Sequence, residues 1–139
     1  MTTVSYSRRF NYLYDLQNQR FPGLPLRISS PNHPEQELDI DAGLDSGAQR
    51  SLFNGEIGRV LGLDLFSGRE VAYVSTTGVS VIARMHPVSL SHPALGRFRL
   101  EVGFSTTHIR RNLLGRDLFN LIQIGFRERH LTFYVTPTP

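Results

Sequence analysis

Apolar and polar residues mostly alternate along this chain in short runs, the period of two expected of half-buried strands. Leu24-Pro25-Leu26-Arg27-Ile28-Ser29 alternates, and Ser30-Pro31-Asn32-His33-Pro34 is rich in turn formers. Alternation resumes from Glu37 to Leu44, with Leu38, Ile40, Ala42 and Leu44 on one face. The pattern predicts a hairpin whose second strand delivers Asp45 at its end. Val71 to Val74 and Val79 to Leu90 predict two further strands, with Ser75-Thr76-Thr77-Gly78 as the tip between them. Arg97 to Phe104 alternates as another strand. Leu121 to Phe126 and His130 to Val135 flank Arg127-Glu128-Arg129 as a closing hairpin. The tail Pro137-Thr138-Pro139 is unsuited to a sheet interior, because proline donates no ladder hydrogen bond.

Helical signals are few. Asn54 is placed to cap a short helix with apolar positions Ile57, Val60 and Leu61 and a stop at Gly62. Asn112 to Leu121 reads as an apolar pair, a glycine and then helix formers. Many short strands and two short helices predict an all-β, closed, barrel-like domain. The partition expected is a domain over residues 22–139, preceded by residues 1–21 as an arm or an added strand.

Composition narrows the chemistry more than the fold. With no cysteine, disulfides and thiolate catalysis are excluded, and a metal site would need histidines and carboxylates. The five histidines (His33, His86, His92, His108, His130) are dispersed without ligand spacing, so no metal or other cofactor is expected. All 15 basic residues are arginine, yet net charge is only +3 and the arginines stand singly or in pairs such as Arg110-Arg111. They form no basic block, and a nucleic-acid partner is not expected. No stretch approaches the roughly 20 apolar residues that cross a bilayer, and no signal-peptide core follows the polar N-terminus. The expectation is a soluble, cytoplasmic protein with no membrane partner.

The chemistry-bearing candidate is Leu44-Asp45-Ser46-Gly47-Ala48. Asp-Ser-Gly alone is a common turn tripeptide. Here it sits where an alternating strand emerges into a tight loop, with Ser46 able to bond nearby backbone and Gly47 allowing close approach. A second run, Asn112-Leu113-Leu114-Gly115-Arg116-Asp117-Leu118-Phe119, begins nearly seventy residues downstream. Together these runs resemble the two signatures of the retroviral-type, or retropepsin-like, aspartic peptidases. The first is Asp-Thr/Ser-Gly-Ala. The second is an apolar pair, Gly-Arg, then Asn or Asp opening the C-terminal helix. Order and separation match, and the resemblance covers roughly Leu24 to Val135.

The resemblance implies an endopeptidase that cleaves peptide or protein substrates as a homodimer. Asp45 would be the catalytic aspartate, with Ser46, Gly47 and Ala48 forming the active-site loop and bracing the dimer. Leu113, Leu114, Gly115 and Arg116 would form a platform behind the loop, and Ser75, Thr76, Thr77 and Gly78 the tip of a flap over substrate. The chain supplies one candidate acid. Asp41-Ala42-Gly43 lacks the hydroxyl, and Phe66-Ser67-Gly68 lacks the acid. A pair of aspartates then requires Asp45 from each of two chains. Asp117 is expected to serve structure at the helix start, and Arg50 and Arg84 could line a groove or lie on the surface.

Three departures matter. Gln49 stands where retroviral members often carry an acid that pairs with the arginine of the second signature, so Arg116 must look to Asp117, Asp41 or backbone. The closing hairpin runs past the point where retroviral enzymes end, and the flap tip has one glycine. A non-catalytic dimerisation or peptide-binding module on the same fold is the alternative reading. A small basic β-domain that binds nucleic acid is a third, resting on arginine content alone.

Overall fold

The computed structural model describes residues 1–137; Thr138 and Pro139 of the proline-containing tail lie outside the described residues. The first segment forms strands β1 (Arg8–Asn11), β2 (Leu13–Tyr14) and β3 (Arg20–Phe21). The hairpin read from residues 24–44 is β4 (Gly23–Ser30) and β5 (His33–Leu44), turning at Pro31-Asn32. Leu24, Leu26 and Ile28 are buried while Pro25 and Arg27 are exposed, as period-two alternation requires. Then follow β6 (Leu52–Asn54), helix α1 (Gly55–Val60), a 3-10 turn at Leu65–Ser67, and β7 (Arg69–Val74) with β8 (Ser80–His92). Strand β9 (Gly96–Ser105), strand β10 (Asn112–Leu114), the one-turn helix α2 (Arg116–Phe119), β11 (Ile122–Arg127) and β12 (Thr132–Pro137) complete the order.

Seven strands form one sheet in the order β4-β5-β10-β6-β9-β8-β7. Strand β4 also pairs with β8 through Arg27–Ser91, Ile28–Leu90 and Ser29–Ser89, so the sheet curls back on itself into a barrel. A separate three-stranded leaf has the order β1-β12-β11. Strand β1 is one edge of this leaf, Arg8–Asn11 running antiparallel to Thr132–Val135, and β2 and β3 pair with each other as a two-stranded sheet. Pro137 sits opposite Ile122 at the end of β12, beyond its last pairing with β1.

One core serves the barrel and the leaf. Phe53 and Phe104 are fully buried and meet edge to face at 6.2 Å inside the barrel. Phe133 of the leaf is equally buried, stacks on Phe10 at 5.2 Å, and belongs to the same apolar cluster as Leu118 and Ile122. Each such ring contributes about 1.5–3 kcal/mol by leaving water, so the leaf is held on the barrel by packing rather than by the chain connection alone.

Three local expectations are corrected. Asn54 precedes α1 but makes no side-chain cap; its Oδ1 accepts the Ile109 N–H at 2.8 Å instead. Val60 is exposed, because α1 approaches the barrel through Gly58, where a Cβ would stand 2.6 Å from Leu65 and 3.2 Å from the Phe104 ring. A count of apolar side chains is blind to a helix packed on its glycine. The last strand also begins two residues later than His130, since residues 128–130 form a 3-10 turn ending at Leu131 with φ 54°.

Candidate functional site

Strand β5 changes character along its length. It is mostly exposed to Asp41, then Ala42, Gly43 and Leu44 are all buried, and Asp45 follows, half-buried. The burial arises because β10 enters beside it. Asn112, Leu113 and Leu114 pair in parallel with Ala42, Gly43 and Leu44, while Leu113 pairs with Leu52 of β6 on its other side. The second signature is therefore wedged between the strand that enters the Asp45 loop and the strand that leaves it.

Two backbone bonds fix the crossing. The Asp45 N–H donates to the Leu114 carbonyl at 2.9 Å, and the Arg116 N–H donates to the Ala48 carbonyl at 2.8 Å. Gly115 lies between them, and a Cβ there would fall 2.7 Å from the Ala48 oxygen and 2.8 Å from the Arg50 carbonyl carbon. Both neighbours are backbone, so only glycine fits without displacing the loop. Within the loop, Ala48 N–H donates to Asp45 O at 3.1 Å, and Gly47 N–H donates to Asp45 Oδ1 at 2.9 Å. One carboxylate oxygen is thereby oriented by an Asx-type turn. Ser46 and Gly47 are exposed at the tip.

A buried polar cluster beneath this crossing is absent from any reading of the sequence. Ser51, fully buried, donates its hydroxyl to Asp117 Oδ1 at 2.8 Å and its N–H to Asp117 Oδ2 at 2.9 Å. The same hydroxyl accepts the Gly115 N–H at 3.0 Å. The Ser51 carbonyl accepts both the Tyr73 hydroxyl at 2.9 Å and the Gly103 N–H at 3.1 Å. Burial, with the Asp117 charge adding to it, pushes the Tyr73 phenol up to about 12. Nothing marks Ser51 in sequence; Tyr73 had one signal, as the only hydroxyl-bearing aromatic in the predicted flap.

Asp117 has the structural part expected of it, also accepting the Leu118 N–H at 2.9 Å. Arg116 finds neither Asp117 nor Asp41. Among the described residues its exposed guanidinium makes no hydrogen bond or ion pair, and only its backbone is engaged. Arg84 is turned to the 3-10 turn, donating to Gly68 O at 3.2 Å and to Glu70 at 3.3 Å, with its guanidinium 5.1 Å from the Phe66 ring centre. Arg50 is exposed.

The hairpin of β7 and β8 turns through Ser75, Thr76, Thr77 and Gly78, all exposed. Gly78 takes φ +84°, its N–H donates to Ser75 O at 3.0 Å, and the Ser75 and Thr77 hydroxyls bond at 2.7 Å. The structure brings the Asp45 loop and the second signature into direct contact. It joins the hairpin to them through the Tyr73 side chain, near the tip end of β7, and not through the tip residues Ser75–Gly78.

Two surface hollows lie away from this centre. One, about 450 Å³, is lined by Tyr14, Asp15, Asp41, His108, Arg110 and Arg111 among others; the second, about 580 Å³, lies by Arg27, Asp39 and His92. Asp45 lines neither. In the first, Arg110 and Arg111 both bond the Asp15 carboxylate, at 2.9 and 3.1 Å, so this arginine pair is engaged within the chain.

No protein-family model matches the chain, and no characterised protein matches its sequence. Solved structures do match its shape. A retropepsin-like aspartic protease from Rickettsia conorii aligns over 98% of this chain and 100% of its own, with TM-score 0.63 and 15% identity. The EIAV protease complexed with the inhibitor HBY-793 aligns over 78% of this chain and 91% of its own, with TM-score 0.55 and 19% identity. Strand order, the wedged crossing at Asp45 and these alignments agree: the chain has a retropepsin-like fold, all-β with two short helices.

Proposed function

We propose that the chain is an aspartic endopeptidase in which water is activated between two Asp45 carboxylates, one from each chain of a homodimer. The observation that carries this reading is the pair of bonds Asp45 N–H to Leu114 and Arg116 N–H to Ala48, which clamp the Asp45 loop on the second signature. A carboxylate held by rigid strands on both sides is preorganised rather than waved on a flexible turn.

The chemistry follows from two such acids meeting. Two carboxylates about 3 Å apart cannot both ionise easily, so one retains a proton. The ionised member takes a proton from water as the oxygen attacks the scissile carbonyl. The protonated member donates to the carbonyl oxygen. Collapse of the tetrahedral intermediate transfers a proton to the leaving amine and regenerates the pair. Its apparent pKa values belong to the dyad as a unit. Ser46, exposed beside Asp45, would brace the two loops across the axis, and the hairpin tip Ser75–Gly78 would cover the substrate.

A second reading, a dimerisation or peptide-binding module without turnover, is favoured by Gln49 and by the Arg116 guanidinium, unpaired among the described residues. Cleavage of a peptide library between about pH 4 and 7 by the native protein and by Asp45→Asn separates the two. The peptidase reading expects cleavage that Asp45→Asn abolishes. Cleavage unchanged in the variant removes Asp45 from the chemistry, and peptide binding with no cleavage by either protein supports the module.

A further inference from the structure

The chain's net charge of +3 is not spread evenly over the fold. The leaf β1-β12-β11, with the 3-10 turn Glu128–His130 between its last two strands, holds Arg8, Arg9, Arg127 and Arg129 against one acid, Glu128. Residues 12–121 hold the other 11 arginines and the other 11 acids, and so balance. Ion pairing follows the same division. Arg27, Arg59, Arg69, Arg84, Arg110 and Arg111 each have a carboxylate partner. Among the described residues none of the four leaf arginines has one. Glu128 itself is engaged by the Tyr12 hydroxyl. In sequence the four arginines stand at opposite ends of the chain and make no basic block; the pairing of β1 with β12 gathers them.

The two faces of the leaf differ. Phe10, Phe133 and Phe126 form one row across the three strands and turn inward, Phe133 fully buried with the other rings at 5.2 and 6.2 Å. One residue along, Arg9, Tyr134 and Gly125 form a row that turns outward, because successive side chains of a strand point to opposite faces. The next outward row is Asn11, Thr132 and Arg127. Tyr134 on the central strand is thus flanked by exposed Arg9 on one side and exposed Arg127 on the other. Tyr6 completes the surface. A Cβ on Gly125 would meet its hydroxyl at 2.6 Å, so its ring lies over that glycine, 5.9 Å from the Tyr134 ring. The Arg127 guanidinium beside it holds the Tyr134 phenol below its ordinary range, and Arg9 adds to the effect. Two neighbouring rings between guanidiniums without carboxylate partners offer π-faces and fixed positive charge together.

We propose that the outward face of the leaf binds a single strand of nucleic acid, with bases stacked on Tyr134 and Tyr6 and phosphates lying on Arg9, Arg127 and Arg129. Aromatic stacking combined with cationic contacts to the backbone holds a single strand without reading its sequence. A duplex keeps its base faces stacked on one another, so the tyrosines select the single strand. Strands of 6 residues in β11 and β12, with about 3.3 Å per residue and about 4.8 Å between strands, give a face of roughly 10 by 20 Å. That is room for two or three bases. An anionic bilayer offers the charge but nothing to stack, and the two outward rows carry no aliphatic side chain to enter lipid. The claim goes beyond the peptidase reading and does not rest on it, since Asp45 is no part of the leaf.

Fluorescence anisotropy of a labelled oligouridine of about 10 nucleotides, titrated with the whole chain, is the test. Binding at low salt is expected, and it should weaken steeply as salt rises, because phosphate contacts release counterions. Arg9→Gln combined with Arg127→Gln should weaken binding at least about tenfold. Arg59→Gln combined with Arg99→Gln removes the same charge from exposed positions outside the leaf and should leave binding nearly unchanged. Tyr134→Phe keeps the ring and should bind as the native protein does, whereas Tyr134→Leu should lose at least about fivefold. No binding of oligouridine at low salt overturns the proposal. Equal losses in the two double-arginine variants overturn it too, since general charge then accounts for the binding. A duplex of the same length bound as tightly overturns the stacking. Phosphatidylserine vesicles bound without competition from oligouridine assign the face to membrane instead. Asp45→Asn should bind oligouridine like the native protein, so a chain that binds it and cleaves no peptide upholds the leaf and counts against the peptidase.

Discussion

The Asp117 carboxylate accepts both the N–H and the hydroxyl of Ser51, at 2.9 Å and 2.8 Å, across 66 residues of sequence. With Gly115 N–H donating to the same hydroxyl, three polar groups of the loop crossing satisfy one another out of water. The pair lies under the Asp45 loop and outside it, so its contribution is to the platform.

Ser51→Ala leaves the buried Gly115 N–H without its partner, while Asp117 Oδ1 keeps only the Leu118 N–H. The expected cost is about 1–3 kcal/mol, since an orphaned buried polar group loses its hydration without replacement. Urea unfolding checks it: the midpoint should fall with the slope unchanged. An unmoved midpoint would mean that the cluster contributes nothing net.

Gly115→Ala should be worse for the site than for the fold. The added methyl meets backbone of Ala48 and Arg50, which must move for it to fit. Overpacking of this kind costs about 1–3 kcal/mol. Cleavage should fall much further than a change of that size in stability explains, because the displaced segment is the Asp45 loop. Equal activity per folded molecule would show that the close approach is dispensable.

Asp45→Asn should be almost silent in stability. Asp45 Oδ1 accepts the Gly47 N–H, and an amide oxygen can accept the same bond. A thermal midpoint close to that of the native protein is expected, together with loss of all cleavage. A large drop in the midpoint would assign Asp45 a structural part.

Alkaline pH should loosen the Tyr73 anchor of the β7–β8 hairpin. Tyr73 ionises near its ordinary value of 10.0 when unfolded and only near about 12 when folded, chiefly through burial. Its contribution to stability is complete below pH 10 and drains away as pH rises through 12. Tyr12, also raised to about 12 by burial and by its bond to Glu128, acts in the same direction. Melting curves between pH 8 and 12 test this. Tyr73→Phe should lose about 0.5–1.5 kcal/mol at neutral pH with its bond to Ser51, yet lose less than the native protein on going to high pH. Parallel alkaline losses in the two proteins would locate the sensitivity elsewhere.

Much of the barrel was legible because its strands are half-buried and alternate, as β4 and the β7–β8 hairpin do. The contact of the Asp45 loop with residues 113–116 was legible because close backbone crossing restricts residue type, leaving glycine and small residues as a visible trace. Ser51 and Tyr73 were not legible. A hydrogen bond between residues 22 or 66 positions apart leaves no period behind. The packing of α1 was misread at Val60 for a related reason, its contact being made by the absence of a side chain at Gly58. Arg116 was expected to look to Asp117, Asp41 or backbone; among the described residues its guanidinium pairs with none of them, and Asp117 is committed to Ser51.

The pairing of β1 with β12 has a consequence for how the molecule is made. Arg8 meets Val135, so β1 has no partner until β12, the last strand in the order, has been made. Closing so long a loop is an entropic cost met late, and contacts of such separation slow folding. The barrel strands, whose hairpins are local, can form first. The leaf then seals last, and β11 becomes one side of a finished sheet only at that moment. A chain stopped before Thr132 would leave β1 and β11 without the strand that lies between them.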